Sequence, residues 1–187
     1  MQDDLKKAVE VLRSGGVILY PTDTVWGIGC DATNENAVKR IFEIKKRADA
    51  KAMLVLIDSE SKLPGYVDEV PEIAWELIEL TEKPLTIIYP QAKNLAANLI
   101  ANDKSIGIRV TTEKFSKMLC SQFRKPIVST SANVSGKPTP ANFSQILDEI
   151  KSAVDFVVTY RQNDLSEPKP SSIIKLEKGN IFKIIRS

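Results

Sequence analysis

The chain predicts an α/β fold: a single domain over residues 1–187, built on a twisted, mixed, open sheet with helices packed on it. Three observations predict it. Short apolar runs of strand character alternate with segments whose apolar residues recur at helical spacing, along the whole chain. Glycine, proline and small polar residues punctuate the joins between them. No internal repeat and no low-complexity linker divides the 187 residues, a usual length for one compact domain.

The elements follow in order. Asp3 to Arg13 reads as a helix with Leu5, Val9 and Leu12 on one side, stopped by Gly15-Gly16. Val17–Tyr20 is a short apolar strand, and Pro21-Thr22-Asp23-Thr24 a loop, because Pro21 cannot donate to a ladder. Val25–Cys30 is a second strand. Thr33 or Asn34 caps a helix with the stripe Val38, Ile41 and Phe42, and Lys45 lies near its end. Met53–Ile57 is a strand, and Pro71 opens a helix carrying Ile73, Ala74, Leu77 and Leu80. Leu85–Tyr89 is a strand ended by Pro90, Lys93–Ile100 a helix, and Ser105–Val110 a strand. Thr111 or Thr112 caps a helix with Phe115, Met118, Leu119 and Phe123. Pro126–Thr130 is a strand leading into a Gly/Pro-rich loop, Asn142–Ile150 a helix and Val154–Tyr160 a strand. After the polar loop at 162–170, Ser172–Leu176 and Ile181–Ile185 form a hairpin turning at Lys178-Gly179-Asn180.

Composition narrows the function. The chain has no histidine, which excludes any imidazole base and any histidine metal ligand. Cys30 and Cys120 lack C-x-x-C spacing and read as core residues of a protein from a reducing cytoplasm. No apolar run is long enough to span a bilayer, and Met1-Gln2-Asp3-Asp4-Leu5 does not start a signal peptide, so no membrane association is expected. The net charge of +2 excludes a uniformly basic nucleic-acid binder. The charge is uneven, however: from Lys39 to Lys51 six basic residues face two acids, a possible anion site or simply a solvated face.

Two familiar nucleotide motifs do not apply. Gly27-x-Gly29-x-x-Ala32 has the letters of a dinucleotide fingerprint, but the helix starts beyond the glycines, so close backbone packing explains them better. Gly136-Lys137 is followed by Pro138 and forms no phosphate loop. Two clusters remain. Lys45-x-Arg47-x-x-x-Lys51 places three cations where they can spread over a polyphosphate, with Arg47 able to fork onto two oxygens. Ser129-Thr130-Ser131-Ala132-Asn133 follows a buried strand, as Pro21-Thr22-Asp23-Thr24 does, and ligands collect where strands of open α/β sheets end. Turn chemistry alone also uses these residue types.

In this combination the chain resembles the YrdC-type threonylcarbamoyl-AMP synthases, in their short single-domain form. The likeness runs from Gly16-Val17-Ile18-Leu19-Tyr20-Pro21-Thr22-Asp23-Thr24-Val25-Trp26-Gly27 through Ile44-Lys45-Lys46-Arg47 and Lys51. It continues in Pro84-Leu85-Thr86, Ile106-Gly107-Ile108-Arg109-Val110, Ser131-Ala132-Asn133-Val134-Ser135-Gly136, Ser171-Ser172-Ile173-Ile174 and Ile184-Ile185-Arg186. The resemblance implies a YrdC-like fold with a concave basic groove, and synthesis of threonylcarbamoyl-AMP and pyrophosphate from L-threonine, bicarbonate or CO2, and ATP. It implies partner proteins that move the threonylcarbamoyl group to the adenosine beside the tRNA anticodon. By resemblance, Lys45, Arg47 and Lys51 act electrostatically on the phosphates. Ser105, Ser131, Asn133, Thr139 and Arg186 complete the ATP site. Thr24, Arg109, Ser129 and Ser172 hold threonine, with Arg109 on its carboxylate. Mg2+ is expected on the phosphates, ligated mostly by substrate oxygens.

The chain departs from the family pattern at Ala52, where proline is usual, and at Met53-Leu54-Val55-Leu56, where many members have a histidine. It departs again at Thr81-Glu82-Lys83, in place of Trp-Pro-Gly, and after Arg109-Val110, where a proline is missing. These changes bear on pocket shape and affinity. Two rival readings are a non-catalytic RNA-binding module of the same fold and a carbamoyl-transfer relative. The low net charge and 6% aromatic content weigh against the first, and the absence of zinc-type cysteine pairs against the second.

Overall fold

The computed structural model describes residues 1–46, 53–168, 170–177 and 181–187. Its strands are β1 (Ile18–Tyr20), β2 (Gly27–Gly29), β3 (Leu54–Ile57), β4 (Leu85–Tyr89), β5 (Ile106–Val110), β6 (Ile127–Ser131), β7 (Phe156–Val157), β8 (Ser172–Glu177) and β9 (Ile181–Arg186). They form one mixed sheet in the order β7-β1-β2-β6-β3-β5-β4-β8-β9. The pairs β1–β7, β3–β5 and β4–β8 are parallel and the other five are antiparallel. The helices are α1 (Gln2–Arg13), α2 (Glu35–Ile44), α3 (Glu72–Leu80), α4 (Lys114–Phe123) and α5 (Asp148–Ala153).

Local chemistry explains the helix ends. Asn34 caps α2 by accepting from the amides of Asn36 and Ala37. α1 buries the predicted stripe Leu5, Val9 and Leu12, together with Ala8. Asp4, on the same helix, accepts from the amides of Thr159 and Tyr160, which ties α1 to the chain beyond β7.

Three predicted elements differ. Lys93–Ile100 forms turns, with Asn94 at φ 54° and its side-chain amide donating to the Gly65 carbonyl. Short polar residues compete with the helix for backbone groups in this way. The cap of α4 is Glu113, not Thr111 or Thr112, whose polar groups serve Asp23 instead. Residues 142–150 hold a short 3-10 turn, Phe143–Gln145, before α5. The predicted hairpin turn at Lys178-Gly179-Asn180 lies outside the described residues.

Cys30 and Cys120 are buried free thiols, and burial pushes both up from the usual thiol range. Gly29 is where the β-sheet allows no side chain. A Cβ there would stand 2.6 Å from a Tyr20 ring carbon and 2.6 Å from the Val128 carbonyl. Gly27-x-Gly29 is thus a strand packed tightly on Tyr20. Gly29→Ala is expected to lose about 1–3 kcal/mol of stability in urea denaturation, because backbone must move to admit a methyl group.

Candidate active site

Two loops and two strands build the site. The β1–β2 loop folds on itself: Thr22 Oγ1 donates to the Val25 carbonyl at 2.8 Å and accepts from the Thr24 amide at 3.2 Å. That turn sends Asp23 toward the start of α4 and Thr24 toward the sheet. Asp23 accepts from the Thr112 and Glu113 amides at 2.7 and 2.8 Å and from the Thr111 hydroxyl at 2.7 Å. Its carboxylate also stands 3.6 Å from Arg109 Nε, with both side chains buried. Burial pushes the Asp23 carboxyl up, but the Thr111 hydroxyl, the Arg109 charge and the two amides outweigh it and hold the acid below its ordinary value.

Arg109 is carried by β5, where Ile106, Ile108 and Val110 face one side and Gly107 and Arg109 the other. Burial pulls its guanidinium down and Asp23 opposes that pull. Its Nη1 donates to Thr24 Oγ1 at 3.2 Å, while Nε has no hydrogen-bond partner among the described residues. Arg186 approaches from β9, its Nε donating to the Ser171 carbonyl at 2.9 Å. The Ser171 hydroxyl in turn meets that of Thr86 at 2.9 Å.

These groups surround a cavity of about 250 Å³. Its lining includes Thr24, Arg109, Ser129, Ser131, Thr139 and Arg186, six of the residues named from the sequence. Two arginines and a set of hydroxyls make it a receptor for a small anion with hydroxyl or amide groups. Trp26, also in the lining, packs against Phe143 with ring centroids 4.8 Å apart and gives the cavity an apolar side.

Lys45 stands behind the wall. Its ammonium is buried and donates to the Ser131 carbonyl at 2.6 Å, the Asn133 carbonyl at 2.7 Å and Asn133 Oδ1 at 3.3 Å. Three oxygens match the three donors of an ammonium. Asn133 Nδ2 donates to the Lys137 carbonyl at 2.6 Å, and the Ser131 hydroxyl donates to Asn133 Oδ1. In this structure Lys45 therefore pins the turn after β6, and it is not among the described residues that line the cavity. Arg47 and Lys51 lie outside the described residues.

Two assignments need correction. Ser172 pairs with Leu85 and Ile173 with Thr86. Leu85 belongs to the opposite face, so Ser172 does too, and its neighbours Ser171 and Ile173 line the cavity. Ser105, at the start of β5, gives its hydroxyl to Asp103 and is not in the lining. Asp23 and Ser171 went unassigned. Asp23 is an acid between two threonines of the quoted motif, and that was the available signal. Nothing in the sequence distinguishes Ser171 from Ser172 without the sheet register.

The family model Sua5/YciO/YrdC, described as telomere recombination, matches residues 10–187. The chain belongs to the Sua5/YciO/YrdC family. Threonylcarbamoyl-AMP synthase of Pseudoalteromonas translucida (strain TAC 125) is 32% identical over 185 residues, 97% of this chain and 98% of the relative. E. coli YciO superposes with a TM-score of 0.85 at 28% identity, over all of this chain and 89% of that one. P. abyssi Sua5 complexed with L-threonine superposes with a TM-score of 0.85 at 27% identity over 97% of this chain. The chain spans about half the length of that Sua5, 53%. The Sua5/YciO/YrdC membership bears out the resemblance read from the sequence, and the mixed sheet with its helices bears out the fold class.

The buried Asp23–Arg109 pair has a measurable signature. Asp23→Ala leaves Arg109 buried without its counter-charge and is expected to cost about 3–5 kcal/mol. Because the folded acid lies below its unfolded value of about 3.9, its contribution is full above that pH and fades as pH falls through the folded value. The stability gap between the parent and Asp23→Asn, measured by denaturation, is expected to be wide at neutral pH and to narrow as pH falls below about 4.

Proposed function

We propose that this chain is an L-threonylcarbamoyl-AMP synthase, a nucleotidyltransferase that makes threonylcarbamoyl-AMP and pyrophosphate from L-threonine, bicarbonate or CO2, and ATP. The observation that carries the reading is the paired guanidinium cavity: Arg109 and Arg186 beside the hydroxyls of Thr24, Ser129 and Ser131. Its volume of about 250 Å³ suits an amino acid and its carbamate. Whole drug-sized ligands take about 300–1,000 Å³, so the nucleotide extends beyond the cavity mouth.

Arg109 is the partner for the threonine carboxylate, held in place by Asp23, with Thr24, Ser129 and Ser171 about the rest of the amino acid. The threonine amine adds to CO2 and loses a proton, giving a carbamate. A carbamate oxygen attacks the α-phosphorus of ATP, the bond to the bridging oxygen breaks, and pyrophosphate leaves with the charge. Fixed cations help most where that charge gathers. Arg186 and Thr139 at the cavity, with Arg47 and Lys51, are the residues for the nucleotide and its phosphates. Lys45 and Asn133 act by fixing the backbone at Ser131. No strong base is required, which accords with a chain that has no histidine.

Mg2+ would arrive on the triphosphate. The cavity offers hydroxyls and guanidinium groups, partners for anions rather than for a bare dication, so substrate oxygens would supply most of the ligands. The product would pass to a threonylcarbamoyl-transferring protein acting on the adenosine beside the tRNA anticodon, in the cytoplasm. Among the described residues no helix is long and apolar enough to cross a membrane.

Pyrophosphate release from ATP and bicarbonate is expected to depend on L-threonine and to yield a threonylcarbamoyl-AMP mass. No release at any threonine concentration would overturn the synthase reading and favour the RNA-binding module. Arg109→Ala is expected to raise the KM for threonine more than that for ATP; an equal rise in both would remove Arg109 from the carboxylate. Arg47→Ala is expected to cut turnover strongly with little loss of stability, because the role proposed for Arg47 is to offset charge on the leaving pyrophosphate; near-normal turnover would remove it from the phosphates.

A further inference from the structure

Behind the wall that Thr24 and Trp26 give to the cavity runs a second stretch of chain, residues 161–168 between β7 and β8. Arg161, Asp164 and Pro168 of that stretch face Thr22, Thr24 and Trp26 across a crevice of about 10 Å³. A crevice that admits no more than one water molecule is a packed contact. Thr24 and Trp26 therefore have the cavity on one side and this strap on the other. The strap has little apolar surface to hold it there: Leu165, its one large apolar residue, is 68% exposed.

One side chain holds the strap down. Arg161 sits at φ 66°, a left-handed backbone that a residue with a long side chain keeps where its surroundings over-determine it. Its guanidinium is engaged on three sides. Nε and Nη2 donate to Asp164 Oδ2 at 3.1 and 2.8 Å, and Asp164 Oδ1 accepts from the Ser166 amide at 3.0 Å, which folds the strap on itself. Nη1 stands 3.4 Å from Glu113 Oε1 and 3.5 Å from the Thr22 carbonyl. The other oxygen of Glu113 accepts from the Ser116 amide at 2.8 Å, capping α4, and the Glu113 amide donates to Asp23. Arg161 thus meets the β1–β2 loop twice, directly at Thr22 and through Glu113 at Asp23. With its side chain 29% exposed, such ion pairs add little to global stability; what they fix is where the loop lies.

We infer that Arg161 is a positioning residue for the amino-acid end of the cavity: it clamps the strap onto the β1–β2 loop and so sets Thr24 and, through Asp23, Arg109. Arg161 is not among the described residues that line the cavity and acts only through Thr22, Thr24 and Glu113. The strap leads on to Pro170 and Ser171, which do line it. Among the described residues Arg161 makes no hydrogen bond or ion pair with Ser131, Thr139 or Arg186, so the nucleotide end is outside its reach. The planar fork of arginine suits a junction of three partners, whereas lysine offers a single point charge. The clamp is a matter of geometry alone; its effect on threonine rests on the synthase reading above.

Arg161→Asn removes the guanidinium and keeps a residue that tolerates the left-handed backbone. Two measurements on the full chain separate the clamp from the reaction. In hydrogen exchange without ligands, the amides of Thr24 and Ser166 are expected to exchange about tenfold faster in Arg161→Asn, with those of β5 unchanged. In pyrophosphate release, the KM for L-threonine is expected to rise about tenfold, with kcat and the KM for ATP within about twofold of the parent. Arg161→Lys keeps the charge without the fork and is expected to stay closer to Arg161→Asn than to the parent. A merely structural role would lower the melting temperature and spare the ratio of the two KM values. Parent-like exchange at Thr24 and Ser166 would overturn the clamp. An unchanged KM for threonine, or an equal rise in both KM values, would overturn the positioning role. A parent chain that releases no pyrophosphate with threonine would overturn the synthase reading instead, and the exchange rates would still decide the clamp.

Discussion

The buried pair of Asp23 and Arg109 is the constraint on which the site depends. A guanidinium among hydroxyls on the inner face of a sheet is costly unless a counter-charge is fixed beside it. Asp23 supplies that charge from a loop between β1 and β2, and the loop is itself held by Thr22. The same carboxylate takes the first amides of the segment entering α4. One acid thus joins the β1–β2 loop to the stretch from Arg109 to Glu113, more than 80 residues on, and its low proton affinity keeps the joint charged at neutral pH.

β5 relates the two faces of the molecule. Arg109 lies on the cavity side, while Ile108 and Val110 on either side of it floor a hollow on the opposite face. Thr112, just beyond the strand, lines that hollow and donates its amide to Asp23. The turn after β6 is built differently: Lys45 comes from the end of α2 and draws two carbonyls of the Ser131–Asn133 turn together. A buried ammonium there fixes backbone geometry where a loop would otherwise be loose.

Most of the architecture was legible because its signals are local. Nine strands were read from apolar runs, and all nine occur, since β-branched and aromatic residues between Gly and Pro leave few alternatives. The misreadings are local competitions won by side chains. Asn94 and its neighbours favoured turns over a helix at 93–100, and Thr111 and Thr112 turned to Asp23 instead of capping α4. Among the site residues, Thr24, Arg109, Ser129, Ser131, Thr139 and Arg186 were named in advance and meet in one cavity. Ser172 was misplaced by one residue, and a strand has a period of two, so one residue is the whole distance between the faces.

By itself the sequence determined the α/β class, the order of its elements and the family, because periodicity, capping residues and a long ordered set of motifs are all written along the chain. Only the tertiary structure decided which hydroxyl faces the cavity, that Asp23 is the counter-charge of Arg109, that Lys45 braces a turn, and that an apolar hollow lies behind the site. Those facts depend on strand register and on pairs more than 80 residues apart, such as Asp23 with Thr111 and Lys45 with Ser131. No local pattern encodes a distance between residues that meet only when the sheet closes.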